Sequence, residues 1–212
     1  MADIRAGGFM DAKAYWVGLS RVYGLGPKRF QLLMKHFGSP ERVWLSKETD
    51  LAQVLGRTSP VVQNLLKCRA TLDLEKELAD LEERKIQVLT LEDAAYPANL
   101  LQIYDPPPVL YVKGTLVPED VKAVAVVGSR RATPYGKAIA DQLAYDLAQA
   151  GITVVSGLAR GVDTCGHRGA LRCGGRTLAV LGCGADVVYP RENRELFEEI
   201  AAKGAIISEF PL

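Results

Sequence analysis

From residue 123 onward the chain repeats one pattern: a short apolar run, a glycine-rich loop, then a segment of helical length. The runs are Ala123–Val127, Ile152–Ser156, Thr177–Leu181 and Ala205–Ser208. None alternates polar with apolar residues, as a strand with one wet face does, so each reads as a strand covered on both sides. One helix between successive strands predicts parallel neighbours joined by right-handed crossovers. The helices are expected from Pro134 to about Ala150, from Gly161 to about Cys173 and over roughly Asn193–Lys203, with Gly151 and Gly204 as stops. The fold class is α/β: a Rossmann-like parallel sheet with helices on both faces.

The first part of the chain reads differently. Residues 14–84 are helical in pattern, and a small all-α domain is expected over residues 1–84, with residues 85–212 forming the α/β domain. Tyr15, Trp16, Leu19 and Val22 fall at helical spacing, and Gly24-Leu25-Gly26-Pro27-Lys28-Arg29 breaks that helix and starts the next. Phe30, Leu33, Met34 and Phe37 form the second apolar stripe. Ser39-Pro40 caps and opens a third helix, and Thr71–Arg84 is an amphipathic connector. Tyr15, Trp16, Phe30, Phe37 and Trp44 are the expected core of this part. Ile86–Leu89 and Val109–Val112 are two further short strands.

Bulk properties narrow the function classes. The 212 residues carry a net charge of +1, so any nucleic-acid site must be a local patch. The four cysteines lack C-x-x-C spacing and there are two histidines, which disfavours zinc and a disulfide framework. No metal or cofactor is expected. No apolar stretch approaches membrane-span length and no signal sequence opens the chain, so a cytoplasmic protein without membrane contact is expected.

Ligands of open parallel sheets bind outside the carboxyl ends of the strands. Three glycine-rich loops fall there. In the first, Gly128 permits a sharp turn, Ser129 offers a hydroxyl and an amide, and Arg130 and Arg131 offer guanidinium forks that match phosphate oxygens. Thr133-Pro134 then opens a helix whose positive end favours an anion, and Lys137 follows in its early turns. The second loop, Ser156-Gly157-Leu158-Ala159-Arg160-Gly161, repeats the logic. Its helix carries Asp163 and His167 on one face, read as a hydrogen-bonded structural pair. The third, Gly182-Cys183-Gly184-Ala185-Asp186, leads to Asn193, a candidate helix cap. Asp186 is read as bonding nearby backbone, and Cys183 lacks a neighbouring histidine to activate it.

Each feature has a plainer reading. A Gly-Ser turn is also simply a tight turn, and Arg131 and Arg160 are also ordinary solvated loop residues. Together the three loops point to a polyanion. The dinucleotide fingerprint is absent after Val127, and the ribose-holding acid is replaced by Ser156-Gly157, which argues against NAD or FAD.

The run Val126-Val127-Gly128-Ser129-Arg130, with Thr133-Pro134-Tyr135-Gly136, Ser156-Gly157-Leu158-Ala159-x-Gly161-Val162-Asp163 and His167, resembles the bacterial DNA-processing protein A family (DprA, also called Smf). So do Gly175-Arg176-Thr177 through Gly182-x-Gly184-x-Asp186-x-x-Tyr189-Pro190-x-x-Asn193, Ile207-Ser208-Glu209-Phe210-Pro211, and the upstream Pro106-Pro107-Pro108-Val109-Leu110-Tyr111. The resemblance implies a non-enzymatic protein that binds single-stranded DNA and helps load the RecA recombinase during natural transformation, commonly as a homodimer. Gly128, Ser129 and Arg130 match the family's Gly-Ser-Arg motif, Arg176 a basic position before a strand, and Asn193 the end of Tyr-Pro-x-x-Asn. The expected DNA- and phosphate-binding set is Gly128, Ser129, Arg130, Arg131, Lys137, Ser156, Gly157, Arg160, Arg176, Gly182, Gly184 and Asn193.

Two departures stand out. Gly166 replaces the alanine usual before the family histidine, at a helix cost of up to ~1 kcal/mol. The family's Arg-Asn-Arg motif and dimerisation surface are expected after Ser-Glu-Phe-Pro, so the sequence reads as a fragment, with an apolar sheet edge left exposed. The Gly24–Arg29 hairpin fits either a phosphate-contacting helix-hairpin-helix or a protein-docking module. The alternative enzymatic reading is a nucleoside-monophosphate phosphoribohydrolase, for which Glu209 is the candidate acid or base.

Overall fold

The computed structural model describes residues 11–212. It divides into two compact units, Met1–Asp80 and Leu81–Leu212, the first described from Asp11.

The first unit is helical. It contains α1 (Ala12–Ser20), α2 (Pro27–Phe37), α3 (Pro40–Leu45), α4 (Glu48–Leu55) and α5 (Pro60–Thr71), and α6 (Leu74–Glu83) begins in it. The sequence signals act where expected. Ser39 accepts the Arg42 N–H at 3.2 Å with Pro40 in the first turn, and Gly38 ends α2 in the left-handed conformation. Tyr15, Trp16, Phe30 and Trp44 are buried, and Trp16 stacks on Phe30 with ring centroids 5.1 Å apart. Phe37 is only half-buried and lies edge-on to His36. The Arg29 guanidinium is tied to the Gly24 carbonyl at 2.9 Å.

The second unit is a six-stranded sheet in the order β1-β2-β6-β5-β4-β3. The strands are β1 (Ile86–Thr90), β2 (Val109–Gly114), β3 (Ala123–Ala125), β4 (Thr153–Ser156), β5 (Thr177–Leu181) and β6 (Ala205–Ser208). The last four are parallel, as their spacing by single helices requires. β1 and β2 are antiparallel to each other, and β2 is antiparallel to β6, so the whole sheet is mixed. The linking helices are α8 (Pro134–Gln149), α9 (Val162–Arg172) and α10 (Arg194–Lys203), with the single-turn α7 (Ala98–Leu101) between β1 and β2.

Helices lie on both faces, but unequally. Val154, Ala179, Leu181 and Ile206 point to one face, where α8 meets them through Ala140, Ala144 and Ala148, and α10 through Leu196, Phe197 and Ile200. Leu178, Ala205, Ile207, Leu110 and Val112 point to the other face. There they pack with Tyr96, Leu116 and Leu100 of α7. The cause is chirality. The chain steps from β3 to β4, β5 and β6 in one direction, and right-handed steps in one direction keep their helices on one side. α8 and α9 meet closely because a Cβ at Gly169 would stand 2.1 Å from the Asp141 carbonyl oxygen; only glycine fits.

The apolar run Ala123–Val127 is not a doubly covered strand. β3 is the sheet edge, its ladder ends with the Val126 N–H on Val155 O, and Val124 and Val127 are 41% and 68% exposed. Apolar content alone does not distinguish an edge from a centre.

Candidate nucleic-acid interface

The carboxyl ends of β3, β4 and β5 bring the three glycine-rich loops to one edge, and the second loop ties the other two together. Ser156 Oγ donates to Val126 O at 2.6 Å. The Asp163 carboxylate, in the first turn of α9, accepts the N–H of Gly128 at 3.4 Å and that of Gly157 at 3.2 Å. The Val162 N–H donates to Ser129 O at 3.2 Å. Gly161, at φ +81°, makes this approach possible, since a Cβ there would lie 2.2 Å from that same oxygen. On the other side, Asn193 Nδ2 donates to Leu158 O at 3.0 Å and to Thr164 Oγ1 at 2.8 Å. Ser208 Oγ fastens the third loop by donating to Cys183 O at 2.6 Å.

These bonds separate scaffold from surface among the expected residues. Ser156 and Asn193 are buried and their side chains are committed to backbone, so they shape the loops rather than face a ligand. Asn193 stands at the cap position of α10 without a side-chain capping bond, because its amide turns inward to loop two. The Gly157 N–H is taken by Asp163. Gly184 is buried against Asp186, whereas Gly182 is exposed.

Gly128, Ser129, Arg130, Arg131 and Lys137 are all exposed on the first loop and the early turns of α8. Ser129 Oγ accepts the Arg131 N–H at 3.1 Å, folding the loop, and Thr133 caps α8 by accepting the Gly136 N–H at 3.1 Å. Among the described residues none holds the side chains of Arg130, Arg131 or Lys137. Three free cations thus lie on the loop before, and the early turns of, a sixteen-residue helix whose N-terminus is its positive end, an arrangement suited to a phosphate.

Arg176 is not part of this edge. It precedes β5 and therefore lies at the opposite, amino end of the parallel strands. Its Nε and Nη2 donate to the Asp120 carboxylate at 2.6 and 2.8 Å, Nη1 donates to Lys203 O at 3.0 Å, and Nη2 also reaches Thr115 O. Burial opposes ionisation of Asp120, but the bonds from Arg176, Val117 N–H and Thr153 outweigh it and hold the carboxyl below its usual value. Arg176 is a staple between segments, not a free phosphate ligand.

Other expectations also change. Asp163 and His167 share a face of α9 but bond to different partners: His167 Nδ1 meets Thr177 Oγ1 at 2.7 Å. That hydroxyl donates its hydrogen to Val154 O at 2.7 Å, so Nδ1 must be the donor and Nε2 carries a buried lone pair without a partner. Burial brings the imidazole pKa down to about 4. Asp186 does not bond backbone; one oxygen faces Arg84 at 3.5 Å and the other is buried without a partner. Burial, then the Asp186 charge, raises the Cys183 thiol above its ordinary value, which opposes a thiolate nucleophile there.

Arg160 does reach the edge, but paired. Its guanidinium grips Glu192 with both forks, Nη2 to Oε2 at 3.1 Å and Nε to Oε1, and the Arg160 bond holds the Glu192 carboxyl below its ordinary value. Sequence reasoning missed Glu192 and the exposed Arg191 and Arg194 around it. The available signal was the neighbouring Asn193: a buried residue in a short 3-10 turn turns its neighbours outward. Among the described residues, no group of three or more His, Cys, Asp or Glu is placed to hold a metal, and no helix is long and apolar enough to cross a membrane.

Comparison with known proteins shows the family and the fold. The chain is 38% identical over 204 residues to the protein Smf of Synechocystis sp., covering 94% of this chain and 51% of that protein. It is 37% identical over 140 residues to the DNA processing protein DprA of Bacillus subtilis, covering 65% of this chain and 47% of that protein. The chain thus spans about half the length of these two relatives. The X-ray structure of DprA from Streptococcus pneumoniae superposes with a TM-score of 0.74 at 30% identity, over 97% of this chain and 69% of that one. A structure of DNA processing protein A from Helicobacter pylori, described for its single-stranded DNA binding mode, gives 0.51 at 37% identity, over 59% of this chain and 57% of that one. A family model for DNA recombination-mediator protein A matches residues 87–212. Fold, loop motifs and relatives converge: the chain belongs to the DNA recombination-mediator protein A family.

Proposed function

We propose that the carboxyl edge of the sheet binds single-stranded DNA through its phosphates, in a role in DNA processing and recombination. The observation that carries this reading is the unpaired Arg130, beside Arg131 and Lys137, at the start of α8. The Helicobacter pylori neighbour, whose description names single-stranded DNA binding, supports the same ligand class. Gly128 and Ser129 set the loop, Gly182 leaves the third loop open, and Arg191 and Arg194 extend the basic surface. Ser156, Gly157, Gly184 and Asn193 act as scaffold. The protein works without catalysis or cofactor, in the cytoplasm, protecting incoming DNA and helping load a RecA recombinase, as a homodimer.

The test is fluorescence anisotropy with labelled single-stranded and duplex oligonucleotides across a salt series. Each phosphate contact on a single strand contributes about −0.7 to the log–log salt slope. Arg130→Ala should weaken binding about tenfold or more, as loss of a hydrogen bond to a charged group does, at every base composition tested. A duplex preference, a flat salt response or an unchanged Arg130→Ala affinity would overturn the assignment. Incubation with nucleoside monophosphates should release no free base.

A further inference from the structure

The Arg160–Glu192 pair joins the second and third loops on the open edge, and both side chains are exposed, at 57% and 53%. It therefore contributes little to stability; the equilibrium holding such a pair together is about fivefold at most. Scaffold bonds already join these loops without it, through Asn193 to Leu158 O and Thr164. The pair is also close to the first loop by chain geometry. Gly161 packs on the backbone of Ser129 and Arg130, a Cβ there falling 2.9 Å from the Arg130 carbonyl, and Arg160 is its immediate neighbour.

A carboxylate presents two coplanar oxygens to a guanidinium fork, and so does a phosphodiester with its two non-bridging oxygens. Resting on the reading of this edge as a single-stranded DNA site, we propose that Glu192 is a built-in competitor: it occupies the fork of Arg160 until a backbone phosphate displaces it. In the free protein the pair is neutral and adds nothing to the net charge of the basic surface. When a strand already held by Arg130, Arg131 and Lys137 passes the second loop, a phosphate takes the fork and Glu192 turns to solvent. Arg160 then adds a contact only to ligands long enough to span from the first loop to the second.

Anisotropy with labelled oligothymidylate tests this. Glu192→Gln should tighten binding of a strand long enough to reach Arg160 about two- to fivefold, without a further phosphate contact, because Arg160 meets a phosphate in both proteins. Arg160→Ala should weaken binding more in the Glu192→Gln background than alone, abolishing the gain. Both residues are exposed, so thermal melts of the variants should match the parent. An unchanged Glu192→Gln affinity overturns the proposal. So does a gain that survives Arg160→Ala, which would mark simple removal of a negative charge. In either case a weakened Arg130→Ala variant leaves the DNA site itself standing. Insensitivity of binding to Arg130→Ala removes the site and this proposal together.

Discussion

The Asp163 carboxylate accepts the backbone N–H of Gly157 at 3.2 Å, and its other oxygen accepts that of Gly128 at 3.4 Å. One buried side chain on α9 thereby fixes two loops that leave different strands. Replacement by alanine strands both donors in a partly buried setting, where each unmade bond costs about 1–3 kcal/mol. Asp163→Ala should lower the urea midpoint and raise amide exchange selectively over residues 128–131 and 157–161. DNA affinity should fall although no DNA-facing atom is removed. Uniform exchange across the chain would show that the carboxylate does not hold these loops.

Arg176 gives the opposite separation. Its guanidinium is spent on Asp120, Lys203 O and Thr115 O at the amino edge of the sheet. Removing one member of a substantially buried pair leaves the other uncompensated, at a cost of about 3 kcal/mol. Arg176→Ala should therefore reduce stability clearly, while anisotropy at temperatures where the variant is folded shows unchanged DNA affinity. Arg130→Ala should show the reverse. The Asp120 pKa is depressed, so its contribution is present above the ordinary carboxylate range and is lost as pH falls through its lower folded value. The parent should lose this increment below about pH 4, the unfolded reference, and Arg176→Ala should show less of that loss.

His167 predicts a second acid limb. Its folded pKa of about 4 lies below the unfolded reference of about 6.5, so the unfolded chain binds the extra proton between those values. Stability should be level above about pH 6.5 and decline as pH falls toward 4, by about 3 kcal/mol in all at 1.36 kcal/mol per unit. His167→Gln cannot titrate and should flatten that limb in denaturant titrations between these pH values. A parent curve that is already flat would mean the imidazole gains a partner for Nε2 on protonation.

The parallel strands, their linking helices and the position of the three loops were legible because they follow from periodicity and glycine placement, both local properties. Partnerships across elements were not. Asp163 and His167 share a helix face, but the atoms that claim them come from the loop amides of Gly128 and Gly157 and from Thr177 on β5. Arg160 and Glu192 are 32 positions apart and meet only when loops two and three are side by side. Arg176 is the instructive case. A residue just before a parallel strand lies at the amino edge and a residue just after it at the carboxyl edge, so the strand assignment already implied its distance from the other loops.

The one-way order β3, β4, β5, β6 has a geometric consequence for where a crevice can open. Between these strands every connection departs to the same side, so adjacent loops fold over together. β3 is the single place in the parallel set where this can change. A parallel strand laid on its free edge by a right-handed return from β6 would send its own connection to the opposite face, and the two connections would diverge at that boundary. Such divergence is the topological switch point at which open α/β sheets collect their ligands. The loop leaving β3 at that boundary is the one that carries Arg130.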